Sequence, residues 1–353
     1  MFIDPHVHCR DGKQAYKETV AHALAIAERA GMTAIFDMPN TSPPIDSRNA
    51  AVERIALAEK ADSPVFYGIY LGITADPAQI REAVAAYNEL KNVIGFKMFA
   101  GHSVGRMGIL PEQEQQLVYR TLAECGYEGV LAVHCEKESL LLPEKWNHAH
   151  PITHAYARPP IAETASVQDQ VTFARVAGFR GTLHIAHTSV PETVRIVQHE
   201  KRKGGLKISC AVTPHHLVFD ESAMEGQDGI LLKMNPPLRP RGMNTELLEM
   251  LRRGMIDWIE TDHAPHSLDE KMEPPYLSGI PGIAWWPLFA EYLRQQDFPE
   301  QAIERVTFSN IAERFGLDIQ RTRRMTKDRR ADYPFDPYRQ LAAELGQAGP
   351  ARA

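Results

Sequence analysis

The residues best suited to chemistry begin six positions into the chain. His6-Val7-His8 closes an apolar run, and in an extended strand residues two apart share a face. Two imidazoles side by side can grip one metal ion; two exposed or hydrogen-bonded histidines are the plain alternative. Lys97 sits in Gly95-Phe96-Lys97-Met98-Phe99, where a charged ammonium is costly to bury. From the residues alone it reads more readily as a lysine that reaches the rim or pairs with a carboxylate. His134 stands before Cys135-Glu136, and a further apolar run carries His184 and His187. Asp262, in Thr261-Asp262-His263-Ala264-Pro265-His266, is placed to touch a metal and a water, or to cap a helix or turn. His6, His8, His134, His187, Lys97 and Asp262 thus lie at the ends of separate apolar runs. Nitrogen and oxygen donors without thiolate suit Zn2+ or a similar divalent ion. Two such ions polarise an amide carbonyl and generate hydroxide near neutral pH.

Those residues need a scaffold that gathers them. Apolar runs at 1–4, 33–38, 65–70, 93–96, 130–134, 182–186, 207–212 and 256–260 read as eight strands. Segments of helical period lie between them at 17–30, 49–60, 77–89, 111–124, 163–176 and 190–203. The first puts Val20, Ala23, Leu24, Ile26 and Ala27 on one broad apolar face. Alternating strand and helix predicts a parallel sheet, and eight such units close naturally into a (β/α)8 TIM-type barrel. An open doubly wound sheet is the alternative, weakened because no GxGxxG follows any strand. In a barrel all strand C-termini point to one rim, so distant residues at strand ends converge. Two proline-bearing stretches interrupt the alternation, 141–160 after strand five and 262–282 after strand eight. Long loops in a compact domain are usually functional or disordered.

A barrel takes roughly 250 residues, so a chain of 353 holds one with room for insertions and a tail. From about residue 317 the sequence turns strongly charged, which predicts a barrel over 1–316 and a charged tail or helical appendage over 317–353. At 44% hydrophobic and 24% charged residues the composition is ordinary for a globular protein. A net charge of −6 without a long basic run speaks against a nucleic-acid or anionic-membrane partner. Cys9, Cys125, Cys135 and Cys210 form no CxxC pair and no disulfide framework, which points to a reducing, cytoplasmic compartment. The first residues do not read as a signal peptide, and no apolar run of about 18 residues could span a bilayer.

Taken together, the motifs resemble the amidohydrolase superfamily and, within it, the dihydroorotase family. The resemblance runs from Asp4 to about Gly316. It is carried by DPHVHCR at 4–10, MPNT at 38–41, GFKMF at 95–99, VHCE at 133–136 and HIAHTS at 184–189. TPHHL at 213–217, NPPLR at 235–239, TDHAPH at 261–266, GIPGI at 279–283 and Ser309-Asn310 complete it. The resemblance implies one zinc on His6, His8 and Asp262 and a second on His134 and His187. It also implies that Lys97 bridges the two as a CO2-derived carboxylysine. His184, the pair His215-His216 and His263 are left as structural or supporting. The substrate implied is dihydroorotate, with Arg10, Asn40 and His266 at its carboxylate, Asn235 and the backbone near Gly279 at its ring, and His8 alongside. An arginine fork suits a carboxylate; a rim salt bridge from Arg10 to Asp11 or Asp37 is the alternative.

By the same resemblance a metal-bridging hydroxide attacks the ring amide. Asp262 takes its proton and passes it to the leaving nitrogen as general base and then acid, giving N-carbamoyl-L-aspartate in de novo pyrimidine (UMP) biosynthesis. Hydrolysis is then favoured at high pH and ring closure at low pH. The other readings are an allantoinase or a hydantoinase/dihydropyrimidinase, whose substrates lack the carboxylate, and a non-catalytic partner of pyrimidine-pathway enzymes. Self-association, or a complex with enzymes of that pathway, stays open. One departure from the family is expected. HxH begins at residue 6 and the tail lacks a strand-forming close, so the small β-sandwich that accompanies many such barrels is largely absent.

Overall fold

The computed structural model describes residues 2–102, 107–318 and 332–347. Eight parallel strands pair in chain order. They are β1 (Phe2–Val7), β2 (Met32–Asp37), β3 (Phe66–Gly72), β4 (Val93–Ala100), β5 (Val130–Cys135), β6 (Thr182–Ile185), β7 (Lys207–Val212) and β8 (Trp258–Ile259). A parallel bridge between Val7 and His263 closes the ring. The strands are buried almost throughout, as expected of a parallel sheet covered by helices outside and packed within.

The outer layer is α1 (Val20–Arg29), α2 (Arg48–Lys60), α3 (Pro77–Glu89), α4 (Glu112–Glu124), a short α5 (Thr153–Ala157), α6 (Pro160–Val176), α7 (Pro191–Lys203), α8 (Pro214–Val218) and α9 (Met243–Arg252). After β8 come α10 (Leu268–Met272), α11 (Trp286–Gln295), α12 (Glu300–Glu304) and α13 (Asn310–Phe315). Local sequence sets several of these starts. Thr19, Ser47 and Asp76 accept from the backbone N–H groups of His22, Ala50 and Ala78, so α1, α2 and α3 begin on capped turns. Proline opens α3, α6, α7 and α11, where its missing N–H costs nothing.

All eight expected strands form, with shifted ends. β1 runs to Val7 and β4 to Ala100, so His6 and Lys97 lie within strands rather than beyond them. β8 keeps only two residues of the expected five: its ladder with β7 begins at Trp258, and the chain bends away at Asp262. The stretch 141–160 is a folded excursion that contains α5, and 262–282 contains α10.

Below the strands the interior is filled by Ile3, Phe36, Tyr70, Ile94 and Trp258, and α13 stops that end with Ile311 and Phe315. The Phe315 ring meets Phe36 at 4.9 Å, Trp258 at 6.1 Å and Tyr70 at 6.2 Å. Arg314 donates to Thr182 at the start of β6, and Asn310 donates to Asp257 O just before β8, so this plug sits at the N-terminal ends of the strands. Much of the expected tail, 319–331 and 348–353, lies outside the described residues. Residues 332–347 pack on the barrel, with α14 (Arg339–Glu344) burying Leu341 and Ala342 and with Tyr333 and Tyr338 buried beside it. No described helix is long and apolar enough to cross a membrane.

Candidate metal centre and active site

The C-terminal mouth of the barrel gathers the polar residues singled out by sequence. On β1, His6 Nδ1 donates to Glu260 Oε1 at 3.0 Å, and just beyond the strand His8 Nδ1 donates to Asn40 Oδ1 at 2.8 Å. Burial, reinforced by Lys97, pulls His6 down to about 4, so its ring is neutral. Each ring turns its Nε2 the other way. Both face one oxygen, Asp262 Oδ1, 3.3 Å from His6 and 3.0 Å from His8. Burial alone would push Asp262 up, but His6 and His8 outweigh it and hold the carboxyl well below its usual range. Donor atoms of these three buried residues lie within 4.8 Å of one another. Nitrogen and oxygen atoms turned towards one point in this way draw in a proton or a cation, and two imidazoles with a carboxylate are a donor set for Zn2+.

A second pair lies beside the first. His134 Nε2 donates to Glu136 Oε2 at 3.0 Å, which turns His134 Nδ1 towards His187 Nε2 at 3.2 Å. Arg158 holds Glu136 from the other side through a 2.5 Å contact. The His187 ring is 4.8 Å from His134 and 5.1 Å from His6, so the two groups share one chamber. Lys97 completes it. Its side chain is wholly buried, its Nζ has no hydrogen-bond partner among the described residues, and that nitrogen lies over the Phe99 ring at 5.1 Å. Burial pulls the ammonium down to about 8, against the pull of Glu260 and Asp262. An unpartnered buried amine beside the His6–His8–Asp262 and His134–His187 groups fits a lysine whose nitrogen is engaged by something the chain does not itself supply.

Arg10 lies at the wall of the chamber. Its guanidinium is buried and donates to Pro265 O at 3.3 Å and to His266 Nε2 at 3.1 Å, both uncharged acceptors. It forms no salt bridge with Asp11 or Asp37: Asp11 caps the turn at Gly12 and the start of α1, and Asp37 accepts from Cys9 N, Arg54 and Tyr67. Burial, followed by Arg10, pulls His266 down to about 2. That neutral ring is also anchored by Glu270 at 3.0 Å. Asn235 Oδ1 accepts from His154 Nε2 at 2.9 Å and from Ser278 Oγ at 3.3 Å, beside the turn at Gly279. At Gly279, φ is 138° and a Cβ would meet Ala264 O at 2.7 Å, so only glycine fits. Its N–H is taken by Lys233 O and its carbonyl by Lys271, which leaves its bare Cα as the surface it offers.

Backbone strain gathers at this mouth. Arg10, Asp11, His187 and Asp262 adopt φ of 53°, 66°, 36° and 49°, conformations that cost energy in non-glycine residues and persist where surrounding contacts enforce them.

Sequence reasoning missed Glu260. Its carboxylate is buried and accepts from His6, His184, the backbone N–H of His187 and Trp258 Nε1, at distances from 2.7 to 3.4 Å. It thereby orients one histidine of each pair. In the sequence its one mark is that it ends an apolar run two residues before Asp262. Glu260→Gln would turn an amide NH2 towards existing donors. We expect zinc affinity to fall about 10- to 100-fold, measured by competition with a chromogenic chelator; unchanged affinity would count against this role. Of the histidines left as supporting, His184 meets Ser209 and Glu260, His216 meets Thr213 and the carbonyls of Pro236 and Pro237, and His263 meets Glu18. His215 differs, with both ring nitrogens buried and unpartnered among the described residues.

No protein-family model matches the chain. Among curated proteins it is 35% identical over 279 residues to a dihydroorotase of Listeria welshimeri, covering 77% of this chain and 62% of that protein. It is 34% identical over 291 residues to a dihydroorotase of Aeropyrum pernix, covering 81% and 62%. To a dihydroorotase of Halobacterium salinarum it is 33% identical over 321 residues, covering 90% and 71%. The chain thus spans a little over three fifths of the first two relatives. Among solved structures, L-hydantoinase from Arthrobacter aurescens superposes with a TM-score of 0.79 at 24% identity, over 93% of this chain and 74% of that one. Dihydropyrimidinase from Brevibacillus agri gives 0.74 at 23%, over 89% and 70%. Those likenesses speak to the barrel alone. The identity to curated relatives goes further, and by it the chain belongs to the dihydroorotase family.

Proposed function

We propose that this chain catalyses the reversible hydrolysis of dihydroorotate to N-carbamoyl-L-aspartate, a step of pyrimidine biosynthesis. The observation that carries the reading is Arg10, a buried guanidinium beside the metal-binding cluster with no carboxylate of its own among the described residues. Asp262, Asp37 and Glu270 act on it from beyond hydrogen-bond contact, and a buried cation whose hydrogen bonds all go to neutral acceptors is expensive unless a ligand supplies the anion. Dihydroorotate brings a carboxylate; hydantoins and allantoin do not.

His6, His8 and Asp262 would hold one divalent ion, His134 and His187 a second, and carboxylated Lys97 would bridge them. Bound there, such ions polarise the amide carbonyl and lower the pKa of water. The rest is work for the side chains. Arg10 binds the substrate carboxylate, assisted by Asn40 and by His266, which Glu270 fixes as a neutral ring. Asn235 and the close approach at Gly279 set the ring plane. Asp262 accepts the proton given up by the attacking water and returns it to the ring nitrogen as the carbon–nitrogen bond breaks. Hydrolysis makes a carboxyl group that ionises and releases a proton, so high pH favours opening and low pH favours closure. The free cysteines, three of them buried, support a reducing cytoplasmic setting.

Arg10→Ala tests the reading. With zinc content unchanged by metal analysis, we expect KM for dihydroorotate to rise about 100-fold or more, the loss of a charge-assisted pair worth roughly 3 kcal/mol. Turnover of hydantoin or allantoin by the wild type, with dihydroorotate untouched, would replace this reading with a hydantoinase or allantoinase.

A further inference from the structure

Residues 332–347 reach the catalytic mouth from behind, through three aromatic side chains. Tyr333 Oη donates to Glu18 Oε2 at 2.9 Å, and the same oxygen accepts from His263 Nε2 at 3.3 Å. His22 holds the other oxygen of Glu18. The Tyr333 ring stands edge-on to His263 at 5.5 Å and tilted against Trp285 at 5.5 Å. His263 Nδ1 accepts from Gly282 N at 2.9 Å, so its proton is on Nε2 and points to Glu18. Its backbone carbonyl accepts from His8 N at 2.7 Å. His263 therefore holds β1 through its carbonyl and the turn at 279–282 and Glu18 through its ring, and Tyr333 binds the same Glu18 oxygen as that ring.

Phe335 and Tyr338 extend the contact. Phe335 lies 6.0 Å from Lys271 Nζ, which donates to Lys233 O at 2.8 Å and to Gly279 O at 2.9 Å. Tyr338 stacks on Phe219 at 5.6 Å and meets Trp285 at 6.1 Å. None of the three touches His6, His8 or Asp262 directly. They bear instead on the residues that hold Asp262 and Gly279 in backbone conformations with φ of 49° and 138°. Such conformations last only while neighbours over-determine them.

We propose that residues 332–347 form a strap that keeps Asp262 and the 279–282 turn in register with the metal-binding histidines, with Tyr333 as its positioning residue. Its effect on turnover rests on the function proposed above; its effect on the backbone does not. The test uses the full chain with Tyr333→Phe, Tyr333→Leu and a control, Tyr119→Phe. The control loses a buried hydrogen bond to Gln170, on the α4–α6 side of the barrel. Amide hydrogen exchange by mass spectrometry reads the backbone, and steady-state kinetics on dihydroorotate reads the site. We expect faster exchange confined to 261–264 and 279–283 in both Tyr333 variants and absent from the control. We expect kcat down roughly 3- to 30-fold, larger for leucine, with KM within about twofold. Exchange in those segments no faster in Tyr333→Leu than in the control would overturn the strap. So would full turnover despite a loosened rim. A wild type inactive on dihydroorotate would sink the substrate reading, and the exchange pattern would still decide the strap.

Discussion

Asp262→Asn is expected to lower kcat by about 10^3- to 10^4-fold without unfolding the barrel. The carboxylate is placed for two tasks. It faces Nε2 of both His6 and His8, and it stays ionised at neutral pH. An amide keeps the shape and loses both, since it binds a divalent ion weakly and cannot take a proton near neutral pH. The folded protein holds this carboxyl well below its usual range, so losing it removes a stabilising charge and the metal-free variant should melt at or slightly below the metal-free wild type. Kinetics, metal analysis and calorimetry on the same preparations read all three effects. Residual activity within tenfold of wild type would remove Asp262 from the chemistry.

Lys97→Met is the second large effect, and its two parts have opposite signs. The ammonium lies in a wholly buried position with no hydrogen-bond partner among the described residues, so in the metal-free protein it is a destabilising group. Methionine fills similar volume without the charge, and metal-free stability should rise by about 1–3 kcal/mol. Activity should fall by about 10^3-fold or more, because the variant has no nitrogen to take up CO2 and bridge two ions. Reconstitution with zinc in bicarbonate-free buffer should yield less activity than in bicarbonate for the wild type, with no such difference for Lys97→Met. A metal-free variant that melts lower than the wild type would mean that Lys97 serves the fold.

How much of this was legible beforehand depended on whether the signal was local. The eight strands announced themselves as apolar runs because a parallel sheet covered on both sides needs them, and His6, His8, His134 and His187 were legible as polar breaks at the ends of such runs. Lys97 was ambiguous from the residues, where a rim lysine was the readier reading; its buried, unpartnered nitrogen changes that weighting. Glu260 was not legible, since a single glutamate at the end of a short run looks like any strand boundary. What marks it is four donors arriving from distant segments. The packing of Tyr333 and Tyr338 was hidden for a similar reason: both follow a strongly charged stretch, and charge density masks the spacing of the few aromatics that dock.

The bridge between Val7 and His263 has a consequence for how the molecule comes to exist. His8 and Asp262 are separated by 254 positions, so the pair cannot meet until the whole circle of staves has been laid. Neighbouring strands can associate as they appear, but the last seam joins the most distant ones, and contacts of such long range slow folding and lengthen the life of open intermediates. The α13 plug seats only after that seam, which leaves Phe36, Tyr70 and Trp258 uncovered until then. Assembly of the candidate metal centre is therefore among the final events of folding. An early divalent ion would find at most the His6–His8 and His134–His187 pairs, without Asp262.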